Sequence, residues 1–84
     1  MRLVCDVNAL IDLRYWIDTD RRKALKILDL IDAALKSPFE GIGKPEPLKF
    51  ELAGCWSRRI DQEHRLVYKV AKDEIIILAC RYHY

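Results

Sequence analysis

The chain has 84 residues, of which 51% are hydrophobic and 33% charged, a balance that excludes a disordered or fibrous protein and allows one domain, residues 1–84. A net charge of +2 is too small to mark the chain as a nucleic-acid or membrane binder by its total. The distribution is more informative: the stretch from Lys44 to Arg81 holds Lys44, Lys49, Arg58, Arg59, Arg65, Lys69, Lys72 and Arg81, with aromatic residues among them.

Arg2-Leu-Val-Cys5 is a short β-prone run and predicts a first strand. At Asp6 the pattern changes. Val7, Leu10, Ile11 and Ile17 fall near helical spacing, and Asp6 is placed to cap the helix. Thr19-Asp20 punctuates the chain and can cap a second helix, in which Ala24, Ile27, Leu28, Ile31 and Leu35 predict the buried stripe and Arg21, Arg22, Lys23, Lys26 and Asp29 the wet one. Ser37-Pro38 ends that helix, because a residue before proline is pushed out of the α region. Residues 38–47 hold all three prolines and two of the three glycines and predict a loop, long enough in so small a chain to suggest a function.

Four strand-like segments follow at residues 48–52, 55–60, 64–70 and 74–82, separated by short turns. A strand, two helices and then an antiparallel meander predict an α+β fold with the helices on one sheet face. Period two puts Leu66, Tyr68 and Val70 on one face and Glu63, Arg65, Val67 and Lys69 on the other, and it separates Ser57 and Arg59 from Trp56, Arg58 and Ile60. Arg59 and Arg65 would then share a polar sheet surface, if the register allows it.

Cys5, Cys55 and Cys80 form no CxxC pair, are odd in number and lie in apolar runs, which predicts buried small hydrophobes in a reducing compartment. Asp6 and Asp12 interrupt any leader-like apolar segment, and no uncharged run approaches the roughly 20 residues that span a bilayer. The expectation is a cytoplasmic protein with no membrane contact.

Four features could carry chemistry. Glu46 is either a solvated loop charge or an acid held by the backbone restraint of Pro45 and Pro47. Arg59 and Arg65 are either solvent-facing partners of Glu63 or Asp61, or a phosphate cradle beside Lys49 with Trp56 or Tyr82 as stacking surfaces. Arg81-Tyr-His-Tyr84 is either a frayed tail or one docked on the sheet, and His64 falls on the apolar face, where a packed role is expected. The two histidines lack a carboxylate at ligand spacing and the cysteines lack ligand spacing, so no metal or cofactor is expected. Phosphate-binding loops and nucleophile elbows are missing from the pattern too. An acid, a histidine, arginines and aromatic surfaces suit metal-free RNA transesterification, in which the substrate's own 2′-hydroxyl is the nucleophile.

Seven ordered blocks add a resemblance: Tyr15-Trp16, Thr19-Asp20, Pro38-Phe-Glu-Gly41, Gly43-Lys-Pro-Glu-Pro-Leu-Lys49, Trp56-Ser-Arg-Arg-Ile60, Glu63-His-Arg-Leu-Val-Tyr68 and Cys80-Arg-Tyr-His-Tyr84. Together they resemble the YoeB/Txe branch of the RelE-like mRNA interferase toxins along the whole chain. The resemblance implies a microbial RNase-like fold and a type II toxin that inhibits translation by ribosome-dependent mRNA cleavage in the A site. It also implies a YefM-type antitoxin partner, leaves room for a homodimer, and gives contact with operator DNA only through the antitoxin complex. By the same resemblance Glu46 is the general base, His83 the general acid and Arg65 the stabiliser of the phosphorane. Lys49 and Arg59 hold phosphate, and Tyr84 positions tail and substrate. The chain departs from the family pattern in Val7-Asn-Ala-Leu-Ile11, less acidic and aromatic than usual, in Phe50 where histidine is usual, and in Cys55 where an aromatic is usual. The rival expectation is a ribosome- or RNA-binding inhibitor that needs the basic surface but neither Glu46 nor His83.

Overall fold

The computed structural model describes residues 1–82. It contains β1 (Arg2–Cys5), α1 (Val7–Thr19), α2 (Arg21–Lys36), β2 (Glu46–Pro47), a 3-10 turn (Phe50–Leu52), β3 (Cys55–Arg59), β4 (Arg65–Ala71) and β5 (Glu74–Tyr82). The five strands form one sheet in the order β1-β5-β4-β3-β2. β1 runs parallel to β5, and the other neighbours are antiparallel. The expected α+β order, with both helices against one face, is the architecture observed.

Both helix starts follow the expected capping chemistry. The Asp6 carboxylate accepts from Asn8 N–H at 2.9 Å and the Asp20 carboxylate from Arg22 N–H at 3.2 Å, each satisfying an orphan donor of the first turn. The inward stripe of α2 is rotated slightly from the expected one. Ala24, Ile27, Leu30 and Ala34 are buried, Ile31 and Leu35 pack beside them, and Leu28 is exposed.

α1 differs more. Val7, Leu10, Ile11 and Ile17, expected to face inward, are all exposed, and the buried residues are Ala9 and Trp16 with Leu13 packed against the core. The cause lies in β5. Arg65 pairs with Tyr82, Val67 with Ala79 and Tyr68 with Ile77, so β5 accommodates extra residues between these pairs and bulges. Cys80 thereby loses its ladder partner on β4. Asp12 accepts from Cys80 N–H at 3.1 Å, and the Trp16 indole N–H donates to Cys80 C=O at 2.8 Å. The inward face of α1 is therefore Ala9, Asp12, Leu13 and Trp16, a stripe selected by two buried backbone groups that need partners as well as by apolar area.

Three further expectations are corrected. Residues 48–52 are not a strand, because the chain leaves β2 after Pro47 and turns at Phe50–Leu52; a single bond, Leu48 N–H to Cys55 C=O at 2.9 Å, continues the pairing. Conversely Glu46–Pro47, expected in the loop, is the edge strand β2, paired as Glu46 with Ser57 and Pro47 with Trp56; proline is tolerated there because one side of an edge strand needs no ladder donor. Cys5 is exposed, since β1 is the opposite edge of the sheet, whereas Cys55 and Cys80 are buried as expected.

The core gathers Ile27, Leu30, Ile60, Leu66, Tyr68, Ile75 and Ile77 between the helices and the sheet. Arg58, on the same sheet face as Trp56, is fully buried among them. Its Nε donates to the Tyr68 hydroxyl (3.1 Å), Nη1 to Ile42 C=O (2.9 Å), and Nη2 to Ser37 C=O (2.6 Å) and Glu40 C=O (2.9 Å). The Tyr68 hydroxyl in turn donates to Pro38 C=O at 2.6 Å. This one side chain ties down the loop between α2 and β2. Gly43 passes so close that a Cβ there would lie 2.7 Å from Leu30 and 3.0 Å from Arg58, at a φ of +83° that favours glycine. No helix among the described residues is long and apolar enough to cross a membrane.

Candidate active site

The loop anchored by Arg58 delivers the chain to Pro45, and Pro45 and Pro47 restrict the backbone on both sides of Glu46. β2 then sets Glu46 directly across from Ser57 on β3. On the next strand Arg65 aims at the same point: its Nη1 donates to Glu46 Oε1 at 2.8 Å and to Ser57 Oγ at 3.4 Å. Arg65 is the shielded partner, its side chain 16% exposed against 49% for Glu46. The bulged register of β5 brings Tyr82 opposite Arg65.

Beyond β2, residues 47–52 fold back to make the wall of a cleft of about 620 Å³, lined by Glu46, Lys49, Phe50, Leu52 and Tyr82 among others. Phe50 is 92% exposed and has a φ of +57°, a left-handed backbone that costs a bulky L-residue on the order of 1 kcal/mol. Two bonds brace it, Leu52 N–H to Lys49 C=O at 3.2 Å and Ala53 N–H to Phe50 C=O at 3.0 Å.

Arg59 lies directly opposite Arg65 in the β3–β4 ladder, so the two share a sheet face as expected from parity. It opens, however, onto a second and shallower hollow of about 350 Å³, with Lys26, Lys44 and Asp61. Of the expected site residues, Glu46 and Lys49 line the cleft, Arg65 stands behind it through its bond to Glu46, and Arg59 opens onto the second hollow; His83 and Tyr84 lie outside the described residues. Trp56, considered as a stacking surface for this face, is on the other side of the sheet, where its ring packs on Phe39 at 4.9 Å. Arg81 is engaged by the fold, its guanidinium 3.5 Å from the Tyr15 ring centre.

The second carboxylate–cation cluster is structural. Asp61 accepts from Glu63 N–H (2.7 Å) and His64 N–H (2.6 Å), lies 3.1 Å from the His64 ring, and takes the Lys23 ammonium of α2. Burial alone would raise its pKa; the bonds from Lys23, His64 and Glu63 reverse that and hold it well below the usual carboxylate range. Lys23 is shifted upward, chiefly by its bond to Asp61. His64 also packs edge-on against Trp16 at 4.8 Å, the packed role its position on the apolar face implied. Asp61 is thus tied to α2 and to its own turn, whereas the carboxylate that meets Arg65 is Glu46. Burial, with Asp12 and Cys5 nearby, pushes the Cys80 thiol up to about 12, so it is protonated at neutral pH and inert as a nucleophile. Among the described residues no three His, Cys, Asp or Glu side chains converge as metal ligands would.

Glu46 and Arg65 thus meet beside a cleft that Lys49, Phe50 and Tyr82 also line. Residues 6–84 match the model of a YoeB-like toxin of bacterial type II toxin–antitoxin systems. Toxin YoeB of Escherichia coli (strain K12) is 54% identical over 84 residues, covering 100% of both chains. A YoeB/ParE toxin from Agrobacterium tumefaciens superposes with a TM-score of 0.93 at 46% identity, again over 100% of both chains. YoeB from Staphylococcus aureus is 41% identical, and the match covers 100% of this chain and 98% of the other; one chain of its dimer superposes with a TM-score of 0.91, and one chain of its heterotetrameric complex with YefM with 0.88. With sequence, helix order and sheet topology in agreement end to end, the chain belongs to the YoeB-like toxins of bacterial type II toxin–antitoxin systems.

Proposed function

We propose that this toxin is an endoribonuclease that cleaves mRNA in the ribosomal A site by attack of the RNA's own 2′-hydroxyl. The observation that carries the reading is the meeting of Glu46 and Arg65 at 2.8 Å on the wall of a cleft that Lys49 also lines. In this reaction the Glu46 carboxylate takes the 2′-hydroxyl proton while the 2′-oxygen bonds to phosphorus. Arg65 meets the negative charge that grows on the phosphorane oxygens, a role suited to a shielded guanidinium already oriented by Glu46 and Ser57. The bond from phosphorus to the 5′-oxygen breaks as His83 protonates the leaving oxygen. Products are a 2′,3′-cyclic phosphate and a 5′-hydroxyl. Lys49 and Arg59 hold the flanking phosphates and Tyr84 orients the tail. The parts given to His83 and Tyr84 rest on the family resemblance.

The basic face would be neutralised by a YefM-like antitoxin whose acidic, partly disordered segment folds over Arg59, Arg65 and the tail. The complex known for the S. aureus protein supports such a partner, and its dimer supports self-association.

The deciding experiment incubates purified toxin with programmed ribosomes and mRNA in the presence of EDTA and maps new 5′ ends. Cleavage is expected, and an mRNA with a 2′-deoxy sugar at the cleaved position should resist. Equal cleavage of the deoxy substrate would remove the transesterification account. Inhibited translation with intact mRNA would establish occupancy without chemistry instead.

A further inference from the structure

Phe50 is an anomaly that folding does not explain. Its ring is 92% exposed, the most open of the large apolar side chains among the described residues, so it contributes almost nothing to the core. Its backbone is also held at a φ of +57°, in a region that bulky residues avoid. An unfavourable backbone carrying an unburied ring is stabilised by neither packing nor local preference, and such positions cluster where a ligand is held. The ring stands between Lys49 and Glu51 on the lining of the 620 Å³ cleft that Glu46 and Tyr82 also line. A cation for phosphate and an aromatic face for a base are thus adjacent in the chain.

We propose that Phe50 is a stacking platform for one nucleobase of the A-site codon, next to the scissile phosphate. The inference rests on the RNA-cleaving reading above and adds the residue that grips the base. A nucleobase is the ligand that fits, because an exposed ring beside a phosphate-binding ammonium is how single strands are held without hydrogen-bond readout, every base having a π-face. A turn already held in its strained form loses little further freedom on binding. Phe50 touches neither the 2′-hydroxyl nor the leaving oxygen in this arrangement, so it sets affinity and base preference rather than the rate of the chemical step.

The test is single-turnover cleavage on programmed ribosomes at varied toxin concentration, for the wild-type protein and for Phe50→Ala, Phe50→Leu and Phe50→Trp. At this exposure all should fold with unchanged thermal midpoints. Phe50→Ala and Phe50→Leu should raise the half-saturating concentration by about 5- to 150-fold, the range that removing a base-stacking ring produces, with the saturated rate nearly unchanged. Phe50→Trp should retain wild-type behaviour. Abasic nucleotides placed in turn at the three codon positions supply the second measurement. At one position the missing base should weaken the wild-type toxin to the level of Phe50→Ala, and Phe50→Ala should lose nothing more there. The proposal is overturned if Phe50→Leu matches wild type, or if the loss in Phe50→Ala is the same at every abasic position. An effect confined to antitoxin affinity also overturns it and makes the ring a protein contact. Absence of cleavage by the wild-type toxin is a separate outcome, which takes down the reaction and the stacking site together.

Discussion

Arg58 on β3 gives its guanidinium to three backbone carbonyls and a phenol on the helix-covered face of the sheet, whereas Arg65 on β4 meets Glu46 and Ser57 on the other face, at the wall of an open cleft. Both are arginines in short strands of one hairpin. Their environments differ by strand parity, which sends neighbouring side chains to opposite faces. Arg58 is wholly buried, bonds through all three guanidinium nitrogens, and holds a loop in place. Arg65 faces a half-exposed carboxylate that a phosphate can compete with. The contrast separates two uses of a buried or shielded cation. Saturated with neutral acceptors, it stabilises the fold; paired with an accessible acid beside a cleft, it has the role in RNA cleavage that we propose for Arg65.

That comparison is open to direct attack. The largest effect belongs to the cleft. Glu46→Ala and His83→Ala should each slow saturated single-turnover cleavage by about 100- to 10,000-fold, and Arg65→Ala at least as much, while the urea midpoint of Glu46→Ala stays near wild type. Cleavage at the wild-type rate by both Glu46→Ala and His83→Ala would move the occupancy model ahead.

Arg58→Ala should do the reverse. It removes the shared donor of the Ser37, Glu40 and Ile42 carbonyls and of the Tyr68 hydroxyl, leaves a cavity where a fully buried side chain stood, and should destabilise the protein by about 3–5 kcal/mol, a large share of what so small a domain has. Chemical denaturation reads this directly. A loss below about 1 kcal/mol would mean that water replaces the guanidinium without difficulty.

The third test uses pH. Asp61 is held below the ordinary carboxylate value in the folded state, so its contribution is present above the unfolded value of about 3.9 and fades as pH falls toward the folded one. Asp61→Asn should therefore lower stability at pH 7 by about 2 kcal/mol, the range for hydrogen bonds to a charged group, and the gap from wild type should narrow below about pH 4. Urea midpoints at several pH values measure the gap; one that is constant with pH would show that the charge of Asp61 is not what matters. The smallest effect is expected for Lys72→Ala, exposed on the turn between β4 and β5, which should leave both cleavage and stability within error of wild type.

Element order outside residues 46–52, both helix caps and the end of α2 at Ser37 followed from local chemistry: a carboxylate two residues before a free N–H, and a proline that forbids another turn. So did the shared face of Arg59 and Arg65, since strand parity needs only a correct pairing. Glu46 stood out because two prolines hold it, although its assignment to a loop missed the two-residue strand that aims it. The inward face of α1 was not legible. An apolar stripe of Val7, Leu10 and Ile11 competes in the sequence with Ala9, Asp12 and Trp16, and the choice is made by the unpaired Cys80 backbone of a bulge more than 60 residues away in the chain. Arg58 carried one signal, its place between Trp56 and Ile60 on the apolar side of a strand; a charged group there must find buried acceptors, and only the folded loop shows which. Phe50 was legible as a departure from the family beside Lys49, but the turn at Phe50–Leu52 that exposes its ring and strains its backbone was not. Local preferences propagate over a few residues, whereas the pairing of a buried polar group or the opening of a cleft depends on which distant segments meet, and that is decided only when the chain closes on itself.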